Sequence, residues 1–277
     1  MPSDQHPGLN AIGHRNIILF AVISYLIAVG FIASQPQLFT SSQINLFLAI
    51  NKDLSVTPAF WLNITTFGNV AILLPILSFF ILKNMRVWAA LFGSIPPATV
   101  LTHLSKRLFS VPRPAAIIDT NQFETAGAIL RGATSFPSGH TVTVFAAITV
   151  ILCVLIYEKE IQRPHLWTGL LTFFATLVGI SRVTVGAHWP LDVLTGAVLG
   201  VISGFIGVYL TYRYNTWWHW ATKPRWLFIH VLLLALLVYA VIARMEFIAA
   251  YGLALVIAGL VISRLLGALY RKSWCRE

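Results

Sequence analysis

The chain has 277 residues, 57% of them hydrophobic and only 10% charged, with a formal net charge of +10 and a mean hydropathy of +0.79. A soluble domain carries about 25% charged residues, so the composition excludes a large soluble core and points to a membrane-embedded protein. The surplus of Lys and Arg fits the basic loops on the cytoplasmic side of such a protein better than a nucleic-acid surface, and no nucleic-acid partner is expected.

Residues 1–15 are polar and read as a cytoplasmic N-terminal segment. The apolar run that follows is too long for the core of a signal peptide and lacks a clear cleavage site, so it reads as a retained anchor. A crossing needs about 20 mostly apolar residues. Eight runs qualify: 16–34, 61–82, 87–104, 139–157, 166–183, 190–211, 226–243 and 247–266. The third contains Pro96-Pro97, which should kink it. Residues 35–60 are mixed in character and should lie along the surface.

The longest interruption, 105–138, is long enough to suggest function, and its middle, 121–131, could form a short interfacial helix. Residues 212–225 mark a weak boundary, where Trp217, Trp218 and Trp220, with Trp226 just beyond, resemble an interfacial belt. The expected organisation is therefore a segment 1–15, a helical core 16–211 and an extension 212–277 carrying two further crossings. Most of the 19 Lys and Arg residues fall on one side if both termini are cytoplasmic, which puts the 105–138 loop outside. Cys153 lies in an apolar run and Cys275 in the tail, and they suggest neither a disulfide nor a zinc site.

Three short stretches hold most of the chemistry. In Lys106-Arg107-Leu108-Phe109-Ser110-Val111-Pro112-Arg113-Pro114, Lys106 and Arg113 are seven residues apart and would share a face of a continuous helix. Arginine offers a phosphate a bidentate fork and lysine a point charge; the alternative is a basic loop resting on lipid headgroups. In Pro137-Ser138-Gly139-His140, Ser138 is a favoured N-cap. Gly139 lets the backbone approach an anion closely, and the free amides of the first turn attract one. His140 would sit beside that anion, or else be a histidine at a capped helix end. In the third stretch, Ser181-Arg182 precedes His188 and Asp192, which are four residues apart and share a helical face. Pro190 fits between them if it falls in the first turn. A carboxylate on one imidazole nitrogen fixes the tautomer and leaves the other nitrogen free to attack; the alternative is a structural pair of Asp192 with Arg182. His103 reads as a helix-end histidine, Asp119, Glu124 and Arg131 as a solvated loop, and Ser135 and Phe136 as residues that only set the turn.

Together the three stretches resemble the signature of the type 2 phosphatidic acid phosphatase (PAP2) superfamily: Lys, six residues, Arg-Pro; then Pro-Ser-Gly-His; then Ser-Arg, five residues, His, three residues, Asp. Every fixed position is present at the family spacing. The resemblance implies an all-α polytopic bundle with a six-helix core, to which the last two spans are additional. It also implies that His188 is the nucleophile and forms a phosphohistidine, that Asp192 orients it, and that His140 is the general acid and then activates water. Lys106, Arg113, Arg182, Ser138 and Gly139 would hold the phosphate.

No metal and no other cofactor is expected, since three fixed cations can do the work of a metal clamp. The expected activity is hydrolysis of a lipid phosphomonoester or pyrophosphate, such as undecaprenyl diphosphate, phosphatidylglycerophosphate or phosphatidic acid. The setting would be a bacterial inner or plasma membrane, with the site on the extracytoplasmic face and membrane lipids as neighbours. The alternatives are lipid-to-lipid phosphotransfer at the same site, for example on lipid A, a non-enzymatic lipid-binding or transport protein, and a vanadate-dependent peroxidase. Oligomeric state is not legible.

Overall fold

Pro36, Pro58, Pro114, Pro164 and Pro190 each open a helix, where the missing N–H leaves no intrahelical bond unmade. Asn69 and Asn84 begin two more, accepting from Ala71 N at 3.0 Å and from Arg86 N at 3.0 Å. The computed structural model describes residues 7–214, 216–219, 223, 226–243 and 249–274. The expectations for residues 1–6, Trp220 and Cys275 lie outside them. The elements are α1 (Pro7–Ala33), α2 (Pro36–Ser41), α3 (Ile44–Leu54), α4 (Pro58–Thr66), α5 (Val70–Leu77), α6 (Phe80–Lys83), α7 (Met85–Phe109), α8 (Pro114–Ile117), α9 (Gly139–Tyr157), α10 (Pro164–Thr184), α11 (Pro190–Arg213), α12 (Thr216–His219), α13 (Leu227–Ile242) and α14 (Ala249–Trp274). The described residues form an all-α fold, as the resemblance implies.

Among the described residues, 5 helices are long and apolar enough to cross a membrane, or 7 if each of two bent pairs counts as one crossing. The expected continuous span 61–82 is one of these pairs, bent by 65° between α4 and α5, and it breaks again at Ser78–Phe79. The expected span 226–243 appears as α13, a shorter apolar helix. Helix α7 continues through Pro96 and Pro97 without interruption. The expected helix at 121–131 does not form: those residues are irregular, held by Phe123 against Phe47 and by Glu124 N donating to Asn51 Oδ1 at 2.8 Å.

Helices α2 and α3 turn 107° away from α1 and lie across one end of the bundle. They do more than rest on a surface. Asn51 is wholly buried and its amide donates to the carbonyls of Glu124, Val183 and Thr184. Gln43 Oε1 accepts from Leu191 N at 2.7 Å.

The centre of the bundle is α11 held against α9 and α7. Helix association in lipid gains little from the hydrophobic effect and relies on close backbone approach over small residues. Gly196, Gly200 and Gly204 supply that surface toward α9, and Gly207 supplies it toward α7. A Cβ on Gly200 would lie 2.6 Å from Val142 O, and one on Gly196 would lie 2.8 Å from Ser138 O. Helices α13 and α14 pair with each other and cover α5, with Ile72, Val241, Ala250 and Ala254 buried between them. Trp218 is buried and donates to Thr211 O at 3.1 Å, so this ring folds back on α11.

Candidate active site

The last turn of α7, the first turns of α9 and α11, the last turn of α10 and the α4–α5 junction meet at one end of the bundle. All three sequence stretches converge there. Lys106 closes α7, which ends when Ser110 adopts a left-handed conformation (φ 47). Arg113 therefore does not continue that helix. It sits at the N-cap of α8, which corrects the expectation of a shared helical face. The two cations meet because the chain folds back. Arg113 N donates to Gly132 O at 2.9 Å and Ser135 N to Val111 O at 3.0 Å. Lys106 Nζ donates to Thr134 O at 2.5 Å, and Arg113 bonds Thr134 O at 3.4 Å and Ala187 O at 2.9 Å.

Ser138 occupies the N-cap of α9, but its hydroxyl makes no cap bond. It is wholly buried and accepts from Thr141 Oγ1 at 2.9 Å. The first-turn amides at Gly139 and His140 have no intrahelical acceptor. His140 is pressed against the α4–α5 bend, where Gly68 leaves it room: a Cβ on Gly68 would lie 2.5 Å from the His140 Cβ.

The short turn 185–189 joins α10 to α11. Arg182 O accepts from Ala187 N at 3.0 Å and from His188 N at 3.1 Å, a closure made possible by Gly186 in the left-handed region (φ 76). Pro190 opens α11, so His188 and Asp192 face each other across the helix start, Nδ1 to Oδ2, at 3.2 Å. Asp192 pairs with His188 and not with Arg182.

Two residues that position Asp192 are not apparent from the motifs. Ser135, expected only to set a turn, donates its hydroxyl to Asp192 Oδ2 at 2.5 Å. Trp189 N donates to the same oxygen at 2.8 Å, and the Trp189 indole reaches Pro112 O at 2.7 Å, which ties the first stretch to the third. Phe136 packs edge-on against Phe39 and Phe109. In the sequence, what marks Ser135 is its place two residues before the Pro-Ser-Gly-His stretch.

Arg182 carries the strongest physical indication of a ligand. It is 7% exposed, one guanidinium nitrogen donates to the Thr65 hydroxyl, and its Nε has no partner among the described residues. A buried, unsatisfied, charged donor is costly unless an acceptor arrives. Burial first, and then the positive charges of Arg182, Arg113 and Lys106, hold the His188 imidazole well below its usual range. His188 is thus neutral, with Nδ1 on the carboxylate and Nε2 free among the described residues. These like charges favour an anion beside His188.

Two cavities meet at His140. One, of about 210 Å³, is bordered by Thr65, Asn69, Gly127, His140, Arg182 and Ala187, with Tyr251 of α14 at its edge. The other, of about 330 Å³, runs between α5, α7 and α9 and is lined by Leu73, Leu77, Leu91, Ile95, Val142 and Ala146, with His140 at one end. His140 therefore stands between a polar chamber and an apolar one. Arg182 and His140 border the same cavity, whereas Lys106, Arg113 and His188 border neither cavity at His140. Glu124 binds Asn51 through its backbone, and Asp119, Glu124 and Arg131 do not border either cavity.

The family model described as the PAP2 superfamily matches residues 86–220, which contain all three stretches. The lipid A 1-phosphatase of Porphyromonas gingivalis is 35% identical over 80 residues, which is 28% of this chain and 17% of that protein. The chain thus spans only a small part of that relative. The undecaprenyl-diphosphatase BcrC of Bacillus subtilis is 30% identical over 159 residues, 55% of this chain and 74% of that one. The crystal structure of LpxE from Aquifex aeolicus superposes with a TM-score of 0.52 at 29% identity, covering 60% of this chain and 94% of that one. With its apolar helices, its signature and these relatives, the chain is a multi-pass membrane protein that belongs to the PAP2 superfamily.

Proposed function

We propose that the protein is a lipid phosphatase that cleaves a phosphomonoester or pyrophosphate through a phosphohistidine on His188. The observation that carries this reading is the buried Arg182, whose Nε, unpartnered among the described residues, lies in the last turn before a neutral histidine held by Asp192. The names of the relatives, an undecaprenyl-diphosphatase and a lipid A 1-phosphatase, support the substrate class.

In this reading the reacting phosphate enters the polar cavity and is held by Arg182, Arg113, Lys106 and the first-turn amides at Gly139 and His140. Ser138 acts from beneath, keeping that turn in place through Thr141. His188 Nε2 attacks phosphorus, and the bond from phosphorus to the leaving oxygen breaks. His140, at the junction of the two cavities, is where that oxygen would lie, and it supplies the proton. Asp192 stabilises the imidazolium as it forms. Water then attacks the phosphohistidine, gives up its proton to His140 and releases inorganic phosphate, restoring both histidines. The three cations neutralise the charge spread over the equatorial oxygens, so the steps require no metal.

The apolar cavity would take the proximal part of the lipid chain. Along α7 its wall runs from Leu91 to His103, about 18 Å at 1.5 Å per residue. That is comparable to one leaflet of a hydrocarbon core about 30 Å thick. Residues 16–211 would form the catalytic core, and the extension 212–277 would brace α5. The site end would face the extracytoplasmic side, with residues 1–15 in the cytoplasm. The test is phosphate release by purified protein across a panel of lipid phosphates, with His188→Ala as control. The expected result is release that persists in EDTA and is abolished in the variant.

A further inference from the structure

The apolar cavity is not apolar at the end nearest His140. There Asn69, Thr102 and His103 border it together with Gly139, and these three polar side chains keep donors unused. Helical threonines commonly bond the carbonyl four residues back, as Thr143 and Thr211 do here. Among the described residues Thr102 makes no such bond. It is 8% exposed, and its hydroxyl is not wholly enclosed, so it is open to the cavity that Thr102 borders. His103 is exposed and its ring has no partner among the described residues. The Asn69 carbonyl caps α5, while its NH₂ is unengaged among the described residues. Asn69 borders both cavities. Lys106 lies one turn of α7 beyond Thr102 and His103.

We infer that Asn69, Thr102 and His103 form a subsite for a second phosphate group, the one that stays on the lipid when the terminal phosphate is transferred. The inference rests on the proposed function, and it narrows the substrate class to lipid diphosphates. A terminal phosphate held by Arg182 and Arg113 places the bridging oxygen at His140. The next phosphorus then falls beyond His140, at the polar mouth of the apolar cavity, with the lipid chain continuing past Thr99 and Ala98 toward Leu91. When the terminal P–O bond breaks, the electron pair stays on the bridging oxygen and His140 protonates it. The product is a lipid monophosphate whose remaining phosphate is still bonded by the three donors. A monophosphate lipid would place carbon at this collar and leave those donors unpaired, which is the kind of mismatch that gives strong discrimination.

The test compares farnesyl diphosphate with farnesyl monophosphate, which share a tail, as substrates of the wild type, His103→Ala and Thr102→Val in detergent. The readout is the ratio of kcat/KM for the two lipids, which is independent of the fraction of protein that folds. We expect that ratio to fall about ten-fold in each variant, the scale of one hydrogen bond to a charged group. An unchanged ratio in both variants, with wild-type diphosphatase activity intact, overturns the collar and leaves the lipid-phosphatase reading standing. A wild type that releases phosphate from neither lipid, while remaining folded, overturns both.

Discussion

Asp192 Oδ2 lies 3.2 Å from His188 Nδ1, and the same oxygen also accepts from Ser135 and from the Trp189 amide. One carboxylate oxygen thus fixes the His188 ring from its far side, and a serine from a separate stretch fixes the carboxylate. The proposed mechanism depends on this relay, because a free His188 ring could turn Nε2 away from the phosphate it would attack.

Asp192→Asn should therefore cost far more than Ser135→Ala. The amide keeps the shape of the carboxylate but loses its charge and its hold on the tautomer, and kcat should fall about 10³-fold or more. Ser135→Ala removes one short bond and leaves the acid in place, so about a ten-fold loss is expected. Steady-state rates on one lipid phosphate, with the melting temperature as a check on folding, decide the order. Equal losses would mean that Ser135 does not act through Asp192.

Gly68→Ala should affect His140, the proposed general acid, selectively. The new Cβ would fall 2.5 Å from the His140 Cβ, and a displacement near 1 Å can cost about a hundred-fold in rate. The loss should be large on a lipid phosphate, whose leaving group needs a proton. It should be much smaller on p-nitrophenyl phosphate, whose leaving group does not. A uniform loss on both substrates would point to general distortion and not to a misplaced His140.

His188 should stay neutral in acid. Its folded pKa is depressed by burial and by the surrounding cations, so protonation, which removes the nucleophile, should set in only well below the ordinary value of about 6.5. A ¹⁵N NMR titration of the ligand-free protein in detergent, with the His188 signal identified by its absence in His188→Ala, should show a neutral ring at pH 6.5. An imidazolium forming with a midpoint above 6.5 would contradict the electrostatics described.

The sequence reveals the proposed reacting groups better than the parts that hold them. His140, His188, Asp192 and the three cations are visible because their chemistry requires particular residue types at fixed spacings. Ser135 and Trp189 are not, because a serine before a turn and a tryptophan near a membrane each have common structural uses, and their bonds span 57 and 77 residues. Asn51 and Gln43 escape notice for the same reason: they sit in the mixed segment 35–60, whose amphipathic pattern tells of a surface and not of what lies beneath it. Hydropathy gives the long helices α9, α10 and α11 closely. It fails at 58–83, where a 65° bend at Gly68 interrupts an apolar run without altering its composition. The helical reading of Lys106 and Arg113 fails because seven-residue spacing implies a shared face only if the helix continues, and Ser110 ends it.

The most direct test is rapid acid-free quenching of the enzyme during turnover on a lipid diphosphate labelled in its terminal phosphate, followed by mapping of the label by mass spectrometry. The account predicts a phosphoryl group on His188, absent in His188→Ala and accumulating in His140→Gln when the leaving group is good. Full turnover with no label on His188, or normal turnover by His188→Ala, would contradict it.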